Sequence, residues 1–346
     1  IQIKLIIVGK EKELTVVERS IHREPFYERA KTFKLPITRI IALDDGNGEP
    51  IRVLGTEDLV VGVGTSLVTH DILLPEMSKL PIVASGSDVD YEKVLSLKPD
   101  FLLAFASWPL KGLEETLEPH GIQVLRLDCM LPTTEIPEDV IKLGYLLGKV
   151  DKAEEFAEFH DDIIDMIRTR TEGLSEDEMP RVYFEHRKYQ TTSKTWKHGI
   201  ICNIAGGNNL ANDLPSGGIG YSVDPEWVIE RNPDILIRTE WGQSGECGYG
   251  VDDTTKIKAI RDEIMNRPEL ANVNAVKNGN VYIISVELLD GPQIIVAAQY
   301  YAKWFHPELF KDWDPQAFHQ EYLDSFHKDL NFNVYENGVF VYPEPG

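Results

Sequence analysis

The sequence predicts an α/β protein of two similar lobes joined by a long helix. Two observations carry this: a repeated helix–turn–strand unit and a sustained helical stretch between its copies. VDYEKVLSLKPDFLL starts at Val89 and VDPEWVIERNPDILI at Val223. Aligned without gaps they share Val, Asp, Glu, Val, Pro, Asp and Leu, and they pair Leu95 with Ile229, Phe101 with Ile235 and Leu103 with Ile237. Asp90 and Asp224 sit where helix N-caps belong, with Glu92 and Glu226 two positions later, where the helix dipole favours acid. Pro99 and Pro233 end each helix, and a buried strand follows, FLLAF from Phe101 and ILI from Ile235. Copies this far apart cannot form a solenoid, so they mark equivalent places in two lobes.

The remaining elements follow in order. The charged segment 1–36 has no clear pattern and is taken as a lead-in. The first lobe, 37–134, holds a strand in ITRIIAL (from Ile37). A short helix and a glycine-ended strand follow in VLGTEDLVVGVG (from Val53). The repeat unit and the strand GIQVLRL (from Gly121) complete the lobe. Strands alternating with helices imply a parallel sheet covered on both faces. Segment 135–172 places apolar residues at Val140, Ile141, Leu143, Leu146 and Leu147, then Phe156, Phe159, Ile163, Ile164 and Ile167. This helical spacing predicts one stiff linking helix, unlike a Gly/Ser linker. The second lobe, 173–296, repeats the grammar with the strand RVYFEH (from Arg181), a helix ending at the glycines of IAGGNN, the repeat unit and the strand NVYIISV (from Asn280). Segment 297–346 is helical in pattern, with Trp304, Phe305, Trp313 and Phe318 as packing anchors.

Composition narrows the function. Against 35 Lys and Arg stand 57 Asp and Glu, a net charge of −22. A phosphate-backbone binder needs clustered positive charge, so nucleic acid is excluded as a partner. No apolar run approaches a membrane span. Cys129, Cys202 and Cys247 are too few and scattered for a disulfide framework or a zinc site. The GxSxG, GxxxxGK[ST] and HExxH templates are absent, so no catalytic residue is assigned and no cofactor is called for. The chain starts at Ile1, and the expectation is that a targeting segment has been removed. Nine histidines include His70, His186 and His198 near strand ends, but no pair has i, i+4 helical spacing with a carboxylate, so no metal ligands are assigned.

Ligand binding is the better reading. In open α/β sheets ligands sit beyond the carboxyl ends of strands. Trp108, Trp196 and Trp241 each follow a predicted strand, and Arg187, Tyr189, Arg238 and Tyr249 lie in the same neighbourhoods. Thr65 and Ser66 follow the glycine-ended strand of the first lobe, where the glycines allow something to approach the backbone. Aromatic faces suit apolar parts of a ligand, and arginines suit carboxylates or phosphates.

Beyond these patterns the chain resembles a known family, the type III solute-binding proteins of ABC importers that take ferric siderophores, haem and vitamin B12. The resemblance runs from Ile37 to about Phe310. It is carried by ITRIIAL, VVGVG, YEKVLSLKPDFLLAF, LGYLLGKVDKAEEF, IAGGNNLA, VDPEWVIERNPDILI, ANVNAVKNGNVYII and HPELF. The loop WGQSGECGYGVDDTTK and the segment before Ile37 are departures. The resemblance implies Rossmann-like lobes, a single linking helix, a ligand cleft between the lobes and little hinge motion. It implies that Glu92 and Glu226 dock on an ABC permease served by an ATPase. It further implies a monomer outside the cytoplasmic membrane, in a periplasm or on a cell surface, with or without a lipid anchor. The ligand expected is a small-molecule metal chelate. Two alternatives stand beside it: a tetrapyrrole- or metal-handling enzyme or metallochaperone on a similar scaffold, and a protein that ligates a metal ion directly.

Overall fold

The computed structural model describes residues 4–8, 11–20, 27–106, 110, 112–129, 135–215, 219–242 and 245–345. It forms two compact units, 1–161 and 162–346. The first opens with β1 (Lys4–Val8), β2 (Glu11–Ser20) and β3 (Tyr27–Leu35), followed by β4 (Ile40–Ala42), α1 (Asp45–Val53), β5 (Val60–Gly64) and α2 (Thr65–Val68). Next come β6 (Ile82–Ser85), β7 (Asp88–Val89), α3 (Tyr91–Ser96), β8 (Phe101–Phe105), α4 (Leu113–Leu117), β9 (Gln123–Leu127) and α5 (Glu135–Leu147). The division between the units falls inside α6 (Val150–Thr171). The second unit contains β10 (Arg181–Glu185), β11 (Gln190–Thr192), α7 (Lys197–Ile204), β12 (Asn208–Asn209), β13 (Ile219–Ser222), α8 (Pro225–Arg231) and β14 (Ile235–Glu240). It closes with α9 (Thr255–Met265), α10 (Asn274–Lys277), β15 (Val281–Ser285), α11 (Ile294–Phe305), α12 (Pro315–Phe326) and β16 (Val341–Tyr342).

The first unit holds a six-stranded sheet in the order β7-β6-β5-β4-β8-β9, parallel except for β7. The second holds a five-stranded sheet, β12-β10-β14-β15-β16, parallel except for β16. Each central strand is a near-continuous apolar run, as a sheet covered on both faces requires. All five residues of FLLAF are buried.

The two repeat copies are built alike in detail. Both helices end in a left-handed residue directly before the proline, Lys98 (φ 50°) and Asn232 (φ 43°). Proline forbids its predecessor the ordinary helical conformation, so the chain leaves the helix there. The aspartate of each Pro-Asp pair then anchors the strand beside it. Asp100 accepts the backbone N–H groups of Thr38 and Arg39. Asp234 accepts the Arg181 N–H and two of its guanidinium nitrogens at 2.9–3.0 Å. Arg39 and Arg181 in turn donate to helix-end carbonyls, of Leu97 and of Arg231. The shared Asp is therefore a clasp between repeat unit and neighbouring strand. Burial alone would raise the Asp234 carboxyl, but the Arg181 hydrogen bonds hold it down at about 2. Asp234→Ala is expected to destabilise the protein by about 1.5–3 kcal/mol, the worth of hydrogen bonds to a charged group. Urea unfolding checks this, and a wild-type midpoint would refute the clasp.

Four local expectations differ from the structure. Segment 135–172 is helical, but as two helices: Gly148 takes φ 68°, a left-handed helix stop that glycine adopts at no steric cost, so the single long helix is α6 alone. The short helix expected before the glycine-ended strand is a single 3-10 turn at Glu57–Leu59, and an unexpected helix, α1, precedes it from Asp45, across a stretch with two glycines and Pro50 inside. Asp44 caps it by accepting the Asn47 N–H at 3.1 Å, and residues 46–53 are all buried, so packing overrides poor propensity. The glycines of VVGVG do admit a close neighbour, but it is the chain itself. A Cβ on Gly64 would lie 1.9 Å from the Leu43 carbonyl oxygen. Finally, the lead-in contains the three-stranded antiparallel sheet β1-β2-β3, whose buried row Leu14, Val16, Glu18 and Ser20 alternates along β2 with period two.

Candidate functional site

In the first unit the carboxyl ends of β4, β5 and β9 converge on a polar group. Thr65 and Ser66 open α2 directly beyond Gly64 and are half-buried. Ser66 Oγ accepts the Asp45 N–H at 3.2 Å, and Asp45 Oδ2 lies 3.4 Å from His70 Nε2. Asp44 is half-buried: loss of water around the carboxyl first, then the neighbouring Asp45 charge, pushes it up to about 8. It is therefore largely protonated at neutral pH. Beyond β9, the Asp128 N–H donates to Asp139, whose other oxygen accepts Lys142 Nζ at 2.6 Å. Burial and the acidic surroundings raise the Cys129 thiol far above its ordinary value, so it is no nucleophile. Trp108, expected at the end of β8, lies outside the described residues.

In the second unit the ends of β10 and β14 bring together His186, Arg187, Arg238 and Trp241. Glu185 organises them. It is fully buried, takes two hydrogen bonds from Arg267 at 2.7 and 3.0 Å, one from Arg238 at 3.2 Å, and the Tyr189 N–H at 2.9 Å. That last bond fixes a tight turn in which Tyr189 is left-handed at φ 54° and the Arg187 carbonyl accepts the Gln190 N–H. Arg187 projects from this turn and is exposed. Arg238 is also bonded to Glu240 at 2.7 Å, so its charge is met within the protein. Trp241 is 41% exposed, and His186 meets it edge-on at 5.5 Å. Burial, then the charges of Arg187, Lys197 and Arg238, lowers His186 to about 4, leaving a neutral ring at pH 7.

The other predicted residues are placed elsewhere. Tyr189 turns towards the second unit's core, its hydroxyl donating to Glu269 at 2.6 Å and the Arg267 guanidinium lying 5.1 Å from its ring centre. Trp196 is half-buried at the N-cap position of α7. Tyr249 is a packing residue, 4% exposed, with its hydroxyl donating to Gln293 and its ring between Phe332 and Phe340. Glu92 and Glu226 are exposed in the first turns of α3 and α8. Asp90 caps its helix by accepting the Lys93 N–H, whereas Asp224 makes no side-chain cap and Pro225 opens the helix instead.

Sequence reasoning weighed His186 and His70 only as metal ligands and did not single out Asp44 and Asp45. The doubled aspartate after IIAL was the signal for the latter. Among the described residues no cluster of His, Cys, Asp or Glu is arranged to hold a metal ion, and no helix is long and apolar enough to cross a membrane.

Residues 40–288 match the family model described as periplasmic binding protein. The chain belongs to this family. The match runs from β4 to β15 and takes in the parallel strands of both central sheets, leaving β1–β3, α11, α12 and β16 outside it. Among curated relatives, an uncharacterized ABC transporter substrate-binding lipoprotein of Bacillus subtilis, YvrC, is 27% identical over 81% of this chain and 84% of its own length. The petrobactin-binding protein YclQ of the same organism is 23% identical over 70% of this chain and 73% of its own. A cobalamin-binding protein of Halobacterium salinarum is 23% identical over 78% and 69%. Among solved structures, a TroA-like periplasmic binding protein, FepB, from Veillonella parvula superposes with a TM-score of 0.75 at 23% identity, covering 91% of this chain and 97% of that one. A Helicobacter pylori protein, CeuE, solved in a complex with nickel and histidine, reaches 0.69 at 20% identity, with 93% and 98% covered. Both structures share this α/β fold.

Proposed function

We propose that this periplasmic binding protein captures a metal chelate outside the cytoplasm and delivers it to an ABC permease and its ATPase. The observation that carries the reading is the family match across the parallel strands of both central sheets; in the second unit their ends bear an exposed tryptophan, a neutral histidine and hydrogen-bonding side chains. Relatives that bind petrobactin and cobalamin support a chelate as the ligand class. The protein binds its ligand and does not convert it.

Docking falls to Glu92 and Glu226, at matching positions of the two repeat copies and exposed in both. Exposed ion pairs contribute up to about 1 kcal/mol each, so a single substitution changes little. In proteoliposomes holding the cognate permease and ATPase, the Glu92→Ala/Glu226→Ala protein is expected to stimulate ATP hydrolysis about tenfold less well at limiting concentration. Its fold should persist, because a carboxylate at a helix N-terminus contributes only about 0.3–1 kcal/mol. Full stimulation by the double variant would overturn the docking assignment. Loss of chelate binding would move both residues into the ligand site.

A further inference from the structure

The loop that leaves β14 at Trp241 departs from the family's pattern, and the segment after α12 lies beyond the family match, which ends at residue 288. Within the second unit these two additions meet. The Gly248 N–H donates to the Val339 carbonyl at 2.6 Å, and the Val339 N–H donates to the Gly248 carbonyl at 3.1 Å. The Gly338 N–H donates to Asp252 Oδ1 at 2.9 Å. Tyr249 stands beside these bonds. Its N–H donates to Glu287 at 2.8 Å, its hydroxyl donates to Gln293 at 2.7 Å, and the same hydroxyl lies 3.0 Å from His319 Nε2. Phe340 and Phe332 meet its ring edge-on at 4.7 and 5.1 Å.

The segment that grips the loop is itself held at both ends. On α12 the Gln320 side chain bonds the Phe332 carbonyl and the Val334 N–H, and Gln316 bonds the Val334 carbonyl, all at 2.9–3.0 Å. At the other end the Ser285 N–H donates to the Phe340 carbonyl at 2.7 Å, and β16 pairs with β15. From Tyr249 the hold runs back to Trp241. Cys247 is 2% exposed and shares the second unit's core with Val339. Its thiol donates to the Glu240 carbonyl at 3.6 Å. Gly242, at φ 65°, passes so close to Cys247 that a Cβ there would strike the Cys247 carbonyl oxygen. Trp241 therefore lies between the end of β14 and a turn closed on Cys247.

We infer that residues 332–342 form a strap that holds the loop after β14, and with it Trp241, in the position in which it meets ligand, with Tyr249 as the positioning residue. The inference rests on the binding reading above, because it takes Trp241 to border the ligand. Loops that carry a site are ordinarily the mobile part of a fold, and ordering them on binding costs affinity. Here the ordering is done in folding. The half-exposed face of Trp241 is set against His186 before ligand arrives.

Fluorine NMR of the full chain labelled with 5-fluorotryptophan tests this, with the Trp241 resonance assigned by Trp241→Phe. Tyr249→Leu loosens the contact from the loop side. Gly338→Ala, whose Cβ would press on the Phe340 ring, loosens it from the strap side. Both are expected to shift or broaden the Trp241 resonance and to leave that of Trp196, in the same unit at the start of α7, unchanged. The probes for binding are cyanocobalamin, ferrioxamine B and ferric enterobactin. Affinity for whichever of them the parent binds is expected to fall about fivefold in both variants. A parent-like Trp241 resonance in the folded variants would overturn the inference. So would a moved Trp241 with unchanged affinity, and either result leaves the chelate reading intact. Saturable binding of none of the probes by the parent would defeat the chelate reading, and this inference with it. Should neither variant fold, hydrogen exchange in the parent decides. The Gly248 and Val339 N–H groups are expected to exchange together, at least about a hundredfold more slowly than unprotected amides. Rapid exchange of either would overturn the strap.

Discussion

Replacing Glu185 by alanine is expected to destabilise the protein by about 3–5 kcal/mol, the cost of leaving one partner of a buried ion pair alone. Glu185 is completely enclosed and is the meeting point of Arg267, Arg238 and the Tyr189 N–H. Arg267 is itself only 4% exposed, and Glu263 would remain as its main acceptor. The turn that presents Arg187 would lose the bond that fixes it. Urea unfolding of the variant measures the loss, with a Glu185→Leu/Arg267→Leu double change as control. Apolar replacement of both partners should recover a good part of the stability, because the desolvation penalty then disappears on both sides. A loss below about 1 kcal/mol for the alanine variant would show that the carboxylate is not the anchor its geometry implies.

The second large effect is on pH dependence. Asp44 has its carboxyl raised from 3.8 to about 8, chiefly by burial and then by Asp45. The native chain therefore holds a proton that the unfolded chain has released. The stability this proton contributes is fully present below the ordinary value of 3.8 and is lost as pH rises towards about 8. One proton sets a slope of at most about 1.4 kcal/mol per pH unit. Asp44→Asn keeps an acceptor for the Asn47 N–H and cannot ionise. Its stability should fall less steeply than that of the wild type across this window. Parallel curves for the two proteins would place the proton elsewhere.

The architecture was legible where a pattern had one physical cause. The repeated Pro and second Asp are visible because each acts locally, to stop a helix and to clasp the next strand; the first Asp caps its helix only in the first copy, at Asp90. Gly148 escaped notice because apolar spacing resumes on its far side, and only its left-handed backbone reveals the break. Helix α1 escaped because DGNGEP reads as a turn until its burial is known. The site was less legible for a related reason. Arg238 and Trp241 both follow from position at a strand end, but whether a charge is free depends on partners remote in sequence. Glu185 lies 53 residues before Arg238 and 82 before Arg267. Tyr249 sits in a glycine-rich loop that reads as exposed, yet Phe332 and Phe340, far along the chain, enclose it.

The added sheet β1-β2-β3 also changes what the first unit can do to its neighbours. An edge strand with open N–H and C=O groups is a template on which another chain can aggregate. At the β9 edge the Arg126 N–H is taken by Glu18, and the Gln123 side chain bonds both backbone groups of Lys34. The opposite edge, β7, and both edges of the second sheet, β12 and β16, are two residues long. Neither central sheet presents a long ladder for a second molecule to extend. The β9 edge is guarded by side chains rather than by shortness, so Glu18→Ala is where self-association through strand addition would begin.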